Sequence, residues 1–333
     1  MKIANESLIK NLLADIGSDN RQVSLNAQEQ LARALELPLR EAVLSGDNLM
    51  SVGIFEGMVL EQDAAPEFPL SPINPGDEDK FVAYTHPGAG KIPQRTIEAD
   101  YVTLSTFSIV NAVDWLRKHA RARRIDIVSA GLALLNYGFT KKINDLGWQT
   151  ILAAAVHRNI LAYDPDATAG FFTKQLVSLG KIAMRRNGGG NAQSLRRGKL
   201  TDIFMSPEGI EDIRNWNVDQ IDEISRREIF LAADGNITRI FGVNLHDMDE
   251  FGVDQQYQLY FENVLGASVQ TSDVELAIGL DLSNRDSFVM PVKQEVTLYP
   301  DDTLHRWGKA GYYGEAELGF GVLDTRRVIA LSY

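Results

Sequence analysis

Residues 109–148 read IVNAVDWLRKHARARRIDIVSAGLALLNYGFTKKINDLGW, and this stretch decides how the chain is organised. Its apolar residues recur at steps near three and four, the period of a helix with one buried face. Apart from one gap around Arg124, they are Val113, Leu116, Ala120, Val128, Leu132, Leu135, Phe139, Ile143 and Leu146. Asn111, with Asp114 three residues on, resembles a capping pair. The pattern predicts an amphipathic helix within residues 109–160, and roughly 45 continuous residues would form a rod of about 70 Å.

Three glycines, Gly131, Gly138 and Gly147, interrupt this stretch. Each weakens a helix, so the pattern also admits a kink or a break. No proline intervenes before Pro165. A helix of this length suggests a central structural element around which a flat, extended subunit is organised.

The preceding segment, residues 51–108, changes character. It holds six of the chain's eleven prolines, and proline lacks the amide donor that a helix needs. Residues 81–84 and 101–104 are typical of strands, and a turn-rich run lies between them at 86–93. The segment therefore predicts a long extended hairpin with little core of its own.

Residues 1–50 are predicted to be helices with polar faces. Leu8, Leu12, Leu13 and Ile16 recur at helical spacing, and the leucines from 31 to 39 do so less regularly. The segment has little material for a core of its own, so we expect it to lie on something else.

The second half of the chain alternates turns with strands. A helix is predicted over 173–185, followed by the loop Asn187-Gly188-Gly189-Gly190-Asn191. Residues 201–205 are typical of a strand, after which Ser206 is a good N-cap and Pro207 suits the first helical position. The buried face of that helix is predicted to be Ile210, Ile213 and Trp216. Further strands are predicted over 274–282, 288–299 and 319–331.

Composition excludes several classes of protein. The 333 residues are 44% hydrophobic and 23% charged, as in ordinary globular domains. They include no cysteine, which excludes disulfides, thiol catalysis and cysteine metal sites. The first residues lack the apolar core of a signal peptide, and no run of about 18 apolar residues suggests a membrane span. The formal net charge of −12 repels nucleic acid overall.

The order of these elements resembles the major capsid proteins of tailed bacteriophages, which have the HK97-like fold. Local stretches agree, namely TDIFMSPE at 201–208, RIFGV at 239–243, GYYGE at 311–315 and GFGVLDTRRV at 319–328. A proline often found near the second stretch is absent here. The resemblance covers nearly the whole chain, and it rests on the order and spacing of the stretches.

The resemblance implies an α+β subunit with four parts. These are an N-terminal arm (1–50), an extended hairpin loop (51–108), a peripheral domain with a long spine helix (109–199 and 291–319) and an axial domain (200–290 and 320–333). We expect the arm to pack mainly on other parts of a shell. We also expect no large N-terminal scaffolding segment to be cleaved off, so that scaffolding comes from a separate protein.

The resemblance also implies a structural protein and not an enzyme, with no catalytic residue, cofactor or metal. Such subunits form the pentamers and hexamers of an icosahedral virion capsid around double-stranded DNA. The implied partners are further copies of the chain, portal, scaffolding and decoration or cement proteins, and DNA by weak non-specific contact. Assembly is expected in the cytoplasm of a host bacterium, without a membrane.

Two basic segments are candidate interaction sites. In residues 116–124 (LRKHARARR), Arg117, Arg121 and Arg124 are predicted to contact acidic groups of neighbouring subunits, with 61–67 and 77–79 as candidate partners. The alternative is a solvated helix face. Lys91 and Arg95, near the hairpin tip, are expected to meet acidic groups on an adjacent subunit.

The second basic segment flanks the glycine-rich loop, and it comprises Lys181, Arg185, Arg186, Arg196, Arg197 and Lys199. It could contact DNA phosphates, or it could be a flexible loop on either surface of a shell.

The candidate motifs for binding phosphate or a metal ion are each incomplete in this sequence. The run 86–91 resembles a phosphate-binding loop, but Thr85 stands where the first glycine belongs and Ile92 replaces the Ser/Thr that would hold Mg²⁺. Around Asp247 and Asp249 the spacing is partly that of a calcium loop, but Phe251 fills a ligand position. The five histidines have no zinc-site spacing.

Two alternatives remain open at this stage. An encapsulin-type nanocompartment shell protein would share the fold but package an enzyme cargo, although the fifty residues before the hairpin favour the phage arm. A cytoplasmic enzyme with a basic cleft would instead form a small oligomer.

Overall fold

The structure is a computed structural model that describes residues 6–44, 53–61, 63–70, 101–122, 124–187, 198–216, 239–267, 275–283 and 285–333. The chain divides into two compact units. The first consists of Met1–Pro66, Thr103–Gly147 and Val289–Gly321. The second consists of Glu67–Val102, Trp148–Phe288 and Val322–Tyr333.

Helices and strands are interspersed along the described chain. The first half contains α1 (Glu6–Ile16), α2 (Arg21–Leu44), β1 (Glu56–Val59), β2 (Glu67–Pro69), β3 (Tyr101–Thr103), β4 (Phe107–Leu116), α3 (Arg117–Arg121), α4 (Ile125–Arg158) and β5 (Leu161–Tyr163). The second half contains α5 (Lys174–Asn187), β6 (Asp202–Met205), α6 (Pro207–Arg214), β7 (Arg239–Ile240), β8 (Val243–Asp247), α7 (Gln256–Leu259), a π-helical turn (Tyr260–Val264) and β9 (Leu276–Leu280). After them come β10 (Phe288–Pro300), β11 (Lys309–Leu318), β12 (Gly321–Val322) and β13 (Val328–Ser332), with 3₁₀ turns at Arg285–Ser287, Asp302–Trp307 and Thr325–Arg327.

The first unit is built on a mixed sheet in the order β1-β10-β11-β4, with β12 paired to β10. β1 runs parallel to β10, whereas the other two neighbours along this order are antiparallel. The β11–β4 ladder is continuous from Lys309 opposite Leu116 to Leu318 opposite Phe107. Val292, Val296 and Leu298 of β10 are buried, as their alternation predicts.

The spine helix begins later than its apolar pattern predicts. Residues 107–116 form the strand β4, so the prediction of helix there, with Asn111 and Asp114 as its cap, is wrong. The gap around Arg124 marks the break between α3 and α4. α4 has 34 residues, which at about 1.5 Å each span about 51 Å.

α4 continues through all three glycines, so the expected break is absent from this described helix. The side-chain amide of Asn111 on β4 donates to the Leu135 carbonyl at 3.2 Å. A Cβ at Gly138 would lie only 2.4 Å from the Asn111 Nδ2 atom, so Gly138 lets the helix approach the strand closely. Leu132 and Leu135 are buried, which confirms that part of the apolar stripe.

The second unit is built on a sheet in the order β5-β13-β9-β6-β8-β7. β5–β13 and β6–β8 are parallel, and the remaining neighbours are antiparallel. Every residue of β6, β9 and β13 is buried, as expected of strands that are covered on both faces.

Each face of this sheet has its own packing partners. α5 and α6 cover one face, where Leu176, Met184 and Ile213 pack with Ile203 of β6. Phe204, the next residue along β6, points the opposite way and meets the fully buried Trp148 with ring centroids 4.9 Å apart.

The start of α6 confirms the prediction made for it. The Ser206 hydroxyl accepts a hydrogen bond from the Gly209 amide at 3.1 Å, and Pro207 opens the helix. Ile210 and Ile213 are buried.

Among the described helices, none combines the length and the hydropathy that crossing a bilayer requires.

Candidate interaction surfaces

The first basic segment binds the turn between α1 and α2 of its own chain. Arg121 Nε donates to the Gly17 carbonyl at 2.7 Å, and its guanidinium pairs with Asp19. Arg117 donates to the Ser18 carbonyl, and only 11% of its side chain is exposed. Charged donors on backbone carbonyls make stronger hydrogen bonds than neutral ones, so these two arginines anchor the arm.

The arm is also held at α2. Arg21 forms an ion pair with Asp302, and this arginine lowers the pKa of the Asp302 carboxyl. The Tyr312 hydroxyl donates to the Gln28 carbonyl at 3.1 Å, and burial raises the pKa of that phenol.

The arm therefore lies on other parts of its own chain, in keeping with the expectation that it packs on something else. Leu13, Ile16, Leu31 and Leu35 are buried within the described chain. α1 lies against both α2 and α3, which the pattern of a single helix could not reveal. Packing of the arm on other subunits stays a prediction.

Gly17 permits the contact between the arm and α3. A Cβ built on it would lie 2.8 Å from the Arg121 backbone nitrogen and 2.9 Å from the Arg121 Cα. Both are backbone atoms, so the clash can be relieved only if the α1–α2 turn moves away from α3.

We expect Gly17→Ala to lower the free energy of unfolding by about 1–3 kcal/mol, the usual cost of overpacking a close contact. Urea unfolding followed by circular dichroism measures it. Gly53→Ala is the matched control, because a Cβ there would meet nothing within 4 Å. Equal losses in the two variants would contradict the steric argument.

The remaining candidates for intersubunit contact have different surroundings. Arg124 is exposed just before α4. Lys91 and Arg95 lie outside the described residues. The base of their hairpin is described, since β2 pairs with β3 and the Leu104 amide donates to the Pro66 carbonyl at 3.0 Å. An intersubunit role for the five cationic residues stays a prediction.

The second basic segment is partly described. Arg185 and Arg186 are exposed in the last turn of α5, and Lys199 is exposed beyond the loop. The Lys181 ammonium donates to the Phe241 carbonyl, and partial burial, reinforced by the nearby Lys199 charge, lowers its pKa. Arg196 and Arg197 lie outside the described residues.

A groove at the other end of α5 was not predicted from the sequence. Two adjacent cavities of about 280 Å³ and 780 Å³ share Asp164, Ala167, Phe171 and Thr173 in their walls. We call them together the α5 groove, and their further walls include Tyr163, Asp166, Lys174, Gln175, Asp212, Trp216 and Tyr333. No local motif could have indicated it, because residues from three distant parts of the chain form it.

Aromatic and acidic groups define the chemistry of the α5 groove. Phe171 is 55% exposed, while Phe172 stacks on Trp216 with ring planes 2° apart. Asp212 accepts from the Phe172 amide at 3.0 Å, and burial raises the pKa of this carboxyl. The groove therefore suits a planar cation that stacks on aromatic rings.

The second unit also holds a buried polar network. The Ser206 hydroxyl and the Tyr333 hydroxyl both donate to Glu275, the latter at 2.9 Å. Burial, together with the Glu275 charge, raises the pKa of Tyr333. These groups fasten the end of β6 to the chain beyond β13, which is a structural task.

Two residues at the candidate calcium loop have other contacts in the structure. Phe251 is buried against Trp148, and His246 bonds Asp202 at 2.9 Å. Within the described ranges, no three His, Cys, Asp or Glu residues are grouped so that they could hold a metal ion.

No sequence model of a protein family and no curated protein matches this chain. Several solved structures are similar to it. A chain in the capsid asymmetric unit of cyanophage Pam1 is 11% identical with a TM-score of 0.57, over 84% of this chain and 88% of that one. A chain of Microbacterium phage Oxtober96 is 10% identical with a TM-score of 0.55, over 85% and 90%. A chain in the capsid structure of cyanophage P-SCSP1u is 11% identical with a TM-score of 0.53, over 84% and 86%.

These similarities extend over most of both chains, although identity is too low for residue roles to be transferred. They show a shared fold. The chain has the α+β HK97-like fold that its order of elements predicted.

Proposed function

We propose that this chain is a structural subunit that self-assembles into the shell of a tailed-bacteriophage head. The observation that carries the proposal is the likeness of fold, over 84% of the chain, to proteins of two cyanophage capsids. In such a shell the subunits form pentamers and hexamers of an icosahedral capsid that encloses double-stranded DNA. No residue is assigned a catalytic role.

The finer anatomy belongs to this proposal. The arm is 1–50, the extended loop is 51–108, the peripheral domain is 109–199 with 291–319, and the axial domain is 200–290 with 320–333. Portal, scaffolding and decoration proteins are the expected partners besides further copies of the chain. The formal net charge of −12 supports weak, non-specific contact with DNA, since a strongly basic inner wall would retain the polymer.

Electron microscopy and sedimentation of the purified chain test the proposal. We expect closed shells of megadalton mass. An encapsulin-type shell would look similar, so the contents decide: nuclease-protected DNA in particles from infected cells supports the phage head, and an enzyme cargo supports the nanocompartment. A small oligomer that never forms shells would contradict both and favour the enzyme alternative.

The hairpin supplies a second test. Residues 54–108 hold many prolines and few large apolar residues, although β1 at their start pairs with β10 of the same chain. We propose that a neighbouring subunit orders the hairpin beyond β1. Backbone amides of the hairpin are expected to exchange with deuterium quickly in free subunits and slowly in assembled shells. Equal protection in both states would show that the hairpin folds onto its own chain.

A further inference from the structure

The two ends of α5 carry opposite charge and complementary chemistry. The α5 groove at the N-terminal end presents Asp164, Asp166 and Asp212 beside aromatic rings. Arg185 and Arg186 are exposed in the last turn at the other end. The helix has 14 residues, so the two ends are separated by about 20 Å.

Helix stability alone accounts for part of this pattern. Acidic groups near a helix N-terminus and basic groups near its C-terminus both interact favourably with the helix dipole. The dipole does not explain why the groove is open, or why Phe171 leaves more than half of its surface in water beside the carboxylates. An exposed aromatic ring beside carboxylates is the environment in which a guanidinium both pairs and stacks.

A single chain cannot bring these ends together, but two copies can. When one surface patch binds a different patch on the next copy, the contact is head-to-tail, and repeated rotation closes it into a ring. Copies with a net charge of −12 repel one another, so the ring needs local pairs of opposite charge.

We propose that Arg185 and Arg186 of one copy occupy the α5 groove of the adjacent copy within a ring. The inference rests on the proposed function, because it names one contact from which such a capsomer would be built. It reassigns these two arginines, which the sequence made candidates for binding DNA phosphates. Lys174 also lines the groove, but its ammonium lies over the Phe241 ring, 5.3 Å from the centroid, and three carboxylates outnumber this one cation.

A cysteine pair tests the contact directly, because the chain has no cysteine of its own. Gln175→Cys places a thiol in the groove wall and Arg186→Cys places one at the basic end. The two positions are about 16 Å apart along one helix, which is too far for a disulfide within a chain. On oxidation, assembled double-variant particles should give a ladder of disulfide-linked chains on a denaturing gel, ending at closed rings. Addition of a reductant should return the ladder to monomer.

The single-cysteine variants are the matched controls, and they should yield dimers at most. Double-variant shells of normal size in which no cross-linked chains form would overturn the inference while leaving the proposed function intact. A wild-type chain that never assembles would contradict the proposed function, and the inference with it.

Charge reversal gives an independent readout. Arg185→Glu with Arg186→Glu, and separately Asp166→Lys with Gln175→Lys, should each lower the assembled fraction by about tenfold or more. All four changes in one chain should restore it substantially. Lys141→Glu with Lys142→Glu, an exposed pair on α4, controls for the change of net charge in the arginine pair, because both pairs make the chain more negative by the same amount. Assembly of both pair variants at the wild-type level, or no recovery in the combined variant when thermal unfolding shows it folded, would overturn the inference.

Discussion

Leu135→Asp is expected to lower the free energy of unfolding by about 3–5 kcal/mol and to abolish assembly. Leu135 is 1% exposed on the face of α4 that meets β4. The change removes buried apolar surface and places an unpaired carboxylate in the core, and each effect costs several kcal/mol. Because folded domains are stable by only about 5–15 kcal/mol, little stable protein should remain.

The preceding residue provides the control. Leu134 is 67% exposed, so Leu134→Asp makes the same chemical change on the solvent side of the same helical turn. Urea unfolding of the two variants should separate them by several kcal/mol. Soluble, assembly-competent Leu135→Asp protein would mean that this face of α4 is not buried.

Local signals in the sequence predicted several elements well. Ser206 and Pro207 act through a side-chain hydrogen bond and a fixed backbone angle within one helical turn, so their effect depends on few distant residues. The buried alternation of β10 is equally local. The fold was predicted from the resemblance of their order to that of phage capsid proteins.

The start of the spine helix shows why local pattern can mislead. Ile109, Val113 and Trp115 face the interior of the first unit at strand spacing, but the inward position between them holds the polar Asn111. That asparagine is satisfied by the Leu135 carbonyl, a partner 24 residues away. The sequence does not reveal this contact, so the polar residue interrupts the alternation that would indicate a strand. The remaining apolar residues then fit the spacing of a helix.

The interaction surfaces were less predictable than the fold, because they depend on tertiary contacts. Arg117 and Arg121 were identified from their charge, but their partners at the α1–α2 turn lie about a hundred positions earlier, with sequence separations of 99 and 104. The α5 groove combines residues near 164, 212 and 333. No periodicity or motif in one segment reports on such a juxtaposition.

The buried pair of Asp281 and Arg327 is the second position at which one substitution should have a large effect. The Asp281 side chain is fully buried and pairs with Arg327, whose side chain is 11% exposed. The same carboxylate accepts from the Lys199 amide at 2.8 Å and from the Ser283 amide at 3.1 Å. It therefore joins the ends of β9 and β13 to the residues that lead into β6.

We expect Asp281→Ala to destabilise the second unit by about 3–5 kcal/mol, because it leaves a buried guanidinium and two amides without their acceptor. Asp249→Ala, at an exposed site in the same unit, should cost less than about 0.5 kcal/mol. The double variant Asp281→Leu with Arg327→Met should recover the part of the loss that comes from the unpaired guanidinium, while the two amides still lack their acceptor. Chemical unfolding of the three variants measures these differences. A small loss in Asp281→Ala would mean that water reaches Arg327 and that the pair does not hold the sheet to the segment before β6.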